Sequence, residues 1–360
     1  MRPASPGPGP PHRTPRPSSM HDDESVAVMM MRMFAIRLFI AAACLCSGSA
    51  FSTSTSAKLF TSHADHRRAT VTTVAKGGDA NANSANAILT YLEINGWLIS
   101  TGGATILVDP ILEGALDFGI PTIYSANKRT LPSMGLCDEL PTIDCLLITQ
   151  GWDDHAHTRT LKKLANVLDS NIHIIAPPSA RGALAQSGFD GNRNKNIQYI
   201  RPGSQVNIGD ECEVRIKATT GALVGPPWQA RENGYIIRTI SGPSIYIEPH
   251  VEYNGRELRN EAPVDIVITP ISGQGLPAFE LVHGPNDVLR LVQTLKPKYV
   301  VPMQNGDVDA EGLASPLVQS VGSPEQFHKL LNKAQQPDER QVEVVDTIPG
   351  EDIFLKLLYK

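Results

Sequence analysis

Short apolar runs recur along the chain from residue 87 onward, and they constrain the fold more than any other feature of the sequence. Runs such as ILTYLEI, WLIST, TILVDP and CLLIT are rich in Val, Ile, Thr and Tyr and are bounded by Gly, Pro or Asn, a pattern typical of β-strands. Three segments carry the helical period instead, marked by Leu161 and Leu164, by Leu291 and Leu295, and by Phe327 and Leu331. Many strands, few helices and no internal repeat predict two sheets packed face to face with helices outside.

Two local signals predict the ends of elements. Ser323 followed by Pro324 and Gln326 is a helix start, because Ser caps the first turn and Pro is tolerated at its first position. The pair Asn233-Gly234 favours a tight turn.

The composition excludes several classes of protein. The chain has 360 residues, 41% of them hydrophobic, and a net charge of -5, which is ordinary for a globular protein with a sizeable core. No basic stripe lies outside the leader, so we expect neither a nucleic-acid partner nor an anionic membrane surface. Cys137, Cys145 and Cys212 lack CxxC spacing, which argues against a disulfide framework or a zinc knuckle and favours small buried apolar residues.

Residues 1–50 have the features of a leader. Residues 1–23 are rich in Pro, Ser and Arg and cannot bury enough apolar surface to fold. Arg32 and Arg37 then precede an apolar run over 38–46 and the small residues SGSA, which is the layout of a signal peptide. The run is too short to span a bilayer. A buried core helix is the alternative interpretation, but the flanking residues do not suit a domain core.

Residues 51–86 have the composition of a transit peptide followed by a linker. Ser and Thr are frequent to about residue 75, and Arg67, Arg68 and Lys76 stand against one acid, Asp65. A signal peptide whose junction reads Ser-Ala-Phe, followed by such a stretch, resembles the bipartite leader of proteins imported into complex algal plastids. We therefore expect a plastid protein whose translation starts within the methionine cluster at 29–33 and whose single folded domain spans 87–360, with no membrane span in the mature chain.

The segment LLITQGWDDHAH, from Leu146 to His157, is a candidate functional site. A strand-like run breaks there into a polar cluster that contains Asp154, His155 and His157, and carboxylates and imidazoles are metal ligands. A plainer interpretation is also open. Asp153 or Asp154 precedes a helical run and would then be its N-cap, and the histidines would be ordinary loop residues.

The order of five segments resembles that of the metallo-β-lactamase fold superfamily. The segments are YLEINGWLISTGGATILVDPIL, LLIT with its Asp-Asp-His loop, ENGYIIRT, SIYIEPH and LKPKYVVPM. They are most similar to the branch related to lactone and phosphodiester hydrolases, and to chloroplast proteins of that fold. The resemblance covers nearly all of the chain from residue 87, and it implies an α+β fold with a four-layer αββα sandwich.

The resemblance also implies a metal motif that this chain retains only in part. In the family a strand ends in Thr-His-x-His-x-Asp-His, whose side chains bind one or two zinc ions. With Thr149 aligned, Gln150 and Trp152 stand at the first two histidines, while Asp154 and His155 are kept.

The later ligands of the family are also replaced. The third histidine falls near Gly221-Ala222, the last falls at Gln304, and Glu248-Pro249-His250 stands where the bridging aspartate is expected. The resemblance therefore implies no conventional dinuclear zinc site. It leaves room for one divalent cation, which would be zinc, iron or manganese.

The candidate residues follow from that alignment. The metal ligands would be Asp154 and His155 with Glu248 or His250. Candidates for catalysis or proton transfer are Asp154, His157, Gln304 and Asp307. The wall of the cleft would include Gln150, Trp152 and Trp228.

Two functions remain open at this point. The first is a divergent, single-metal hydrolase that acts on an ester, lactone or phosphodiester bond of a small molecule in the plastid. The second is a non-catalytic pseudoenzyme that binds a small ligand or a protein partner in the old cleft, because four of the family's histidines are replaced. The fold alone does not decide between them, and the family resemblance favours the hydrolase.

Overall fold

The computed structural model describes residues 84–209, 214–223, 230–240, 242–277, 279–335 and 341–358. The leader over 1–50, most of the transit-like segment, Cys212 and Trp228 lie outside these residues, so the predictions about them stay predictions. The first strand begins at Ser84, inside the segment that the sequence assigns to the linker.

The first sheet has seven strands and is antiparallel on one side and parallel on the other. An antiparallel meander of three strands is flanked at its outer edge by the last strand of the chain, and three further strands continue parallel to the end of the meander. In spatial order the strands are β19 (Asp352–Leu358), β1 (Ser84–Tyr91), β2 (Trp97–Thr101), β3 (Ala104–Val108), β5 (Cys145–Leu147), β6 (His173–Ala176) and β7 (Ile197–Tyr199).

The second sheet repeats this layout. Four of its strands form an antiparallel half, and the remaining three continue parallel to the last of the four. In spatial order the strands are β8 (Gln205–Ile208), β9 (Val214–Thr220), β10 (Asn233–Thr239), β11 (Ile245–Ile247), β12 (Ile266–Pro270), β15 (Tyr299–Met303) and β18 (Glu343–Val344).

Two smaller sheets lie in the connections. The pair β4 (Ser125–Asn127) and β16 (Asp309–Glu311) is antiparallel, and β13 (Gly273–Leu276) lies between β14 (Phe279–Val282) and β17 (Gln319–Val321). Single 3-10 turns occupy Leu136–Asp138, Pro178–Ala180 and Ser315–Leu317.

Among the described residues, five α-helices cover the outer faces of the two large sheets. Leu161 and Leu164 of the first helix share a buried cluster with Ile174 of the first sheet, and Val288 and Phe327 share one with the second sheet. The helices are α1 (Thr158–Val167), α2 (Arg181–Gln186), α3 (Gly255–Arg259), α4 (Pro285–Leu295) and α5 (Pro324–Ala334).

The largest core lies between the two sheets. Ile99, Ile106 and Leu147 of the first sheet pack with Ile216 and Ile268 of the second, and all five are fully buried. Strands covered on both faces are apolar at successive positions, as in β12 and β15, where every residue is buried. The layers are helix, sheet, sheet and helix, so the predicted four-layer sandwich is confirmed.

Of the two local signals in the sequence, the structure confirms the helix start and contradicts the turn. Ser323 caps α5, because its hydroxyl oxygen accepts a hydrogen bond from the N–H of Gln326 at 3.2 Å. The prediction of a turn at Asn233-Gly234 is wrong, since both residues lie in β10 and pair with β9. Glycine is needed there for close approach, because a Cβ at Gly234 would meet Thr219 Oγ1 at 2.8 Å and Glu248 Cγ at 3.0 Å.

Two further expectations concern the described residues. Cys137 and Cys145 are free and buried, as the sequence predicts. Within the described ranges no helix is both long enough and apolar enough to cross a membrane.

Candidate metal centre

The polar cluster of the LLITQGWDDHAH segment lies where parallel strands end. Asp109 directly follows β3, the segment of Asp154 and His155 follows β5, and His250 follows β11 of the second sheet. Loops at the carboxyl ends of parallel strands meet at one edge of a sheet, which is where ligand sites of such folds form. The two sheets thus bring residues far apart in sequence to one end of the sandwich.

Asp154, His155 and His250 form the centre of this cluster. Each offers one ligand atom, and these atoms lie within 4.8 Å of one another. Nε2 of His155 is 3.2 Å from Oδ2 of Asp154, and the rings of His155 and His250 have centroids 5.1 Å apart. The His155 side chain is fully buried, whereas that of Asp154 is 26% exposed, so the cluster opens to solvent on the carboxylate side.

Asp109 holds His155 from behind. Its Oδ2 is 2.8 Å from Nδ1 of His155, and its Oδ1 accepts a hydrogen bond from the N–H of Thr149 at 2.8 Å. The Thr149 hydroxyl also donates to Asp109. A carboxylate against Nδ1 keeps a proton on that nitrogen, so Nε2, which faces Asp154, is the ring atom available to a cation.

The charges around His155 and its burial shift its pKa in opposite directions. Burial lowers the pKa of His155, but the carboxylates of Asp154 and Asp109 outweigh that effect and raise the pKa to about 10. For Asp154 burial is the largest single cause and acts to raise the pKa, but the charges of His155 and His250 and the hydrogen bonds to the carboxylate together lower it. A proton on His155 thus offsets part of the negative charge of the two carboxylates.

Asn95 fixes the loop that carries the cluster. Its Nδ2 donates to the carbonyl oxygen of Asp154 at 2.9 Å and lies 3.4 Å from Nε2 of His155. Asn95 is buried at 4% exposure. The polypeptide before β2 thus positions the ligand loop after β5.

The structure places Glu248 beside His250 and not among the three converging ligand atoms. Its carboxylate is 1% exposed and lies 3.6 Å from Nδ1 of His250. It accepts backbone hydrogen bonds from His250 at 3.2 Å and from Glu252 at 2.9 Å. Of the two predicted alternatives for the third ligand, the geometry therefore brings His250 to the cluster and leaves Glu248 as its support.

His157 and Asp153 contact the start of α1. His157 is fully buried, and its Nδ1 lies 2.8 Å from the Thr160 hydroxyl. Oδ1 of Asp153 accepts a hydrogen bond from the N–H of Thr158 at 3.0 Å. The N-cap residue of α1 is His157, so neither aspartate is the N-cap, although Asp153 accepts the first N–H of the helix and Asp154 faces the cluster.

Gln304 and Asp307 do not join the cluster. The side-chain amide of Gln304 donates to Thr347 Oγ1 at 3.0 Å, and the carboxylate of Asp307 pairs with Arg129. Both residues are exposed. Gln304 was predicted because it aligns with the family's last histidine, but its side chain turns toward the segment before β19.

The structure describes two of the three residues predicted to form the wall of the cleft. Gln150 is 2% exposed, and its Nε2 has no hydrogen-bond partner. Trp152 is half-buried, and its carbonyl oxygen accepts from the N–H groups of His155 and Ala156 at 3.0 and 2.7 Å.

Sequence reasoning gave no role to Asp109, Asn95 or Glu232. Asp109 stands in TILVDP, and its place after an apolar strand was a usable signal, because the carboxyl ends of parallel strands converge. Asn95 and Glu232 had no comparable signal, since each reaches the cluster only through the folding of distant segments.

The residues present suit a divalent cation. Two imidazoles and one carboxylate are donors that zinc, iron and manganese accept, and Asp109 supplies the outer carboxylate that commonly orients a ligating histidine. Each cation of this kind takes about four or more ligands at roughly 2 Å, so three protein ligands leave a position open.

Comparisons with known proteins identify related folds. A family model described as "Beta-lactamase superfamily domain" matches residues 88–304, more than half of the chain. Comparison with curated protein sequences finds no match.

Several solved structures share the fold. Igni18, a metallo hydrolase from the archaeon Ignicoccus hospitalis, is 17% identical over 75% of this chain and 99% of its own, with a TM-score of 0.50. A possible metal-dependent hydrolase from Veillonella parvula is 15% identical over 74% of this chain and 98% of its own, also at 0.50. CmlA, a diiron beta-hydroxylase from Streptomyces venezuelae, is 17% identical over 76% of this chain and 54% of its own, at 0.51. At such identities the likeness concerns the fold.

Proposed function

Because the chain belongs to the beta-lactamase superfamily, we propose that it is a metal-dependent hydrolase with a single, rebuilt cation site. Members of this superfamily typically bind divalent metals such as zinc or iron. The observation that carries the proposal is the convergence of Asp154, His155 and His250, whose ligand atoms lie within 4.8 Å of one another. The substrates of the protein would be small molecules with an ester, lactone or phosphodiester bond.

The chemistry assigns a task to each of the residues that surround the cluster. Asp154, His155 and His250 would hold the cation, which supplies Lewis-acid activation of water and of the scissile group when bound. Asp109 keeps the proton of His155 on Nδ1, and Glu248 lies against Nδ1 of His250. Both carboxylates would fix the orientation and raise the basicity of the imidazoles.

One cation is favoured over two by the side chains at the other ligand positions. Gln150 and Trp152 replace two histidines, and Gly221-Ala222 stands where a third is expected. An indole and an aliphatic segment offer no lone pair to a cation. The ligands that remain fit one cation site, on the side of the family's motif that carries its aspartate.

The non-catalytic alternative is not favoured. The replaced histidines motivated it, but the retained ligands converge, and a buried carboxylate supports His155. A cleft that served only to bind a ligand would not need this supported pair of imidazoles.

Metal loading and hydrolysis test the proposal together. We expect close to one zinc, iron or manganese ion per purified chain, and hydrolysis of generic ester, lactone or phosphodiester substrates that stops on chelation and returns with the metal. His155→Ala should lose both the metal and the hydrolysis, whereas Gln304→Ala, whose side chain bonds Thr347 outside the cluster, should keep both. A protein that takes up no metal, or whose hydrolysis survives chelation, would contradict the proposal.

We further propose that the protein works in a plastid. The support is the order of a signal-like stretch over 1–50 and a transit-like stretch over 51–86. Sequencing the N-terminus of the mature protein should find it near Phe51 or between Phe51 and Asn86. A mature product that retains residues 1–50 would rule out this compartment.

A further inference from the structure

Glu232 lies level with the candidate metal centre. It precedes β10, where its N–H donates to the carbonyl of Ala222 and its carbonyl accepts from Gly221, both at 2.9 Å. On the other side, Tyr235 pairs with Ile247 in the antiparallel register of β10 and β11. The N–H of Asn233, the next residue, donates to the carbonyl oxygen of Thr149 at 3.1 Å, which places the start of β10 beside the loop of Asp154 and His155. Glu232 thus lies beside that loop and next to the position of the family's third histidine.

The Glu232 carboxyl is buried in a small polar group of residues. It is 3% exposed, and its Oε2 accepts a hydrogen bond from the Ser179 hydroxyl at 2.6 Å. Ser179 packs closely on the ligand loop, since a Cβ on Gly151 would lie 2.4 Å from the Ser179 carbonyl oxygen. Gln150, next to Gly151, presents a buried Nε2 without a partner. Among the described residues no lysine or arginine forms an ion pair with Glu232.

This environment raises the pKa of the Glu232 carboxyl to about 7. Burial is the largest cause, and the Ser179 hydrogen bond and the charges of His155 and His250 lower the pKa by less. A carboxyl group with a pKa near neutrality can release a proton and recover it during one catalytic cycle. Ser179 occupies one carboxyl oxygen, which leaves the other free to face a substrate.

We propose that Glu232 donates the proton to the leaving-group oxygen during hydrolysis, and that the natural substrates therefore release an alcohol. This inference rests on the proposed hydrolase function. An alkoxide is a poor leaving group unless it is protonated as the bond breaks, whereas an aryl oxide leaves readily without help.

The step balances for an ester or a lactone and, in the same way, for a phosphodiester. The oxygen of water forms a bond to the carbonyl carbon or to phosphorus. The bond to the leaving oxygen breaks with its electron pair on that oxygen, and Glu232 supplies the proton. The proton released by the attacking water restores the carboxyl of Glu232, so the products are an acid and an alcohol.

Glu232→Gln tests this role, because the amide keeps the shape and can still accept from Ser179 but cannot transfer a proton. With the metal-loaded protein we expect kcat for an alkyl ester or an alkyl phosphodiester to fall by about 100-fold or more. For the p-nitrophenyl analogue we expect a fall of less than about 10-fold, since that leaving group needs no proton. The metal content should stay at the wild-type value, and Glu261→Gln, which changes a carboxylate paired with Lys217 and Arg238, should leave both rates unchanged.

A second readout does not depend on turnover. In the protein without added metal, infrared spectra near neutral pH should contain a protonated carboxyl band that is absent from Glu232→Gln. Ser179→Ala should shift this band and lower the alkyl-ester rate more than the p-nitrophenyl rate, and it serves if Glu232→Gln does not fold.

The outcomes separate the two proposals. Equal losses with both leaving groups, loss of metal from Glu232→Gln, or absence of the carboxyl band would each overturn the assignment of Glu232 while the hydrolase function stands. A wild-type protein that is inactive on every substrate after metal loading overturns the proposed function and, with it, this inference.

Discussion

His155→Ala is expected to abolish metal binding, with a loss of affinity well above 100-fold. The reason is that His155 contributes a ligand at the buried side of the cluster, where Nε2 lies 3.2 Å from the Asp154 carboxylate. Loss of an outer supporting partner alone costs about 10- to 100-fold in affinity, so loss of the ligand itself should cost more. Elemental analysis of the purified variant and a competition titration against a chelator measure the effect.

Two companion variants make the result specific. His155→Ala also leaves Asp109 without its buried partner, so His250→Ala, whose side chain is 13% exposed, should give the same loss of metal with less effect on folding. His283→Ala is the matched control, because His283 is 35% exposed and lies beside Glu280 and Asp287, outside the cluster. Retention of stoichiometric metal by both His155→Ala and His250→Ala would contradict the assignment of the two histidines as metal ligands.

Asp109→Ala is expected to lower the free energy of unfolding by about 3–5 kcal/mol, because it removes one member of a buried, hydrogen-bonded charge pair. The substitution leaves the His155 imidazole and the N–H of Thr149 without their acceptor. Asp109 also has a left-handed backbone with φ of 40°, which alanine adopts less readily than aspartate. Urea unfolding of the metal-free protein measures the change.

Asp109→Asn separates the effect on the metal from the effect on the fold. Asparagine tolerates the left-handed backbone and keeps the shape of the side chain, but it cannot act as a charged acceptor for His155. We expect metal affinity to fall by about 10- to 100-fold with a smaller loss of stability than in Asp109→Ala. Unchanged affinity in Asp109→Asn would mean that Asp109 supports only the fold.

Much of the sandwich could be predicted from local patterns. The run WLIST forms β2 with the same bounds, because a strand that packs on a core must carry dense or alternating apolar residues. β19 and α3 carried no clear signal. The short helix α3 is stabilised by a cap, since the Asn254 side chain accepts from the N–H groups of Arg256 and Glu257, and by the burial of Leu258.

The candidate site was predictable only where its residues are neighbours in sequence. Asp154 and His155 stand together in one loop, and His250 follows a recognisable strand. The directions of the Glu248 and Gln304 side chains were not predictable, because the direction of a side chain beyond a strand end depends on tertiary contacts. Glu248 turns to backbone N–H groups, and Gln304 turns to Thr347.

The hydroxyl of Tyr235 joins the two halves of the sandwich close to the ligand loop. It donates to the carbonyl of Ile148 in the first sheet at 2.8 Å and accepts from Nδ2 of Asn233 at 3.0 Å. Asp154 and His155 are carried by one sheet and His250 by the other, so the gap that Tyr235 spans also sets the distance between the ligands. The spacing between the two sheets therefore sets the distance between the candidate metal ligands, and we expect substitutions between the sheets to change that distance without contacting the cluster.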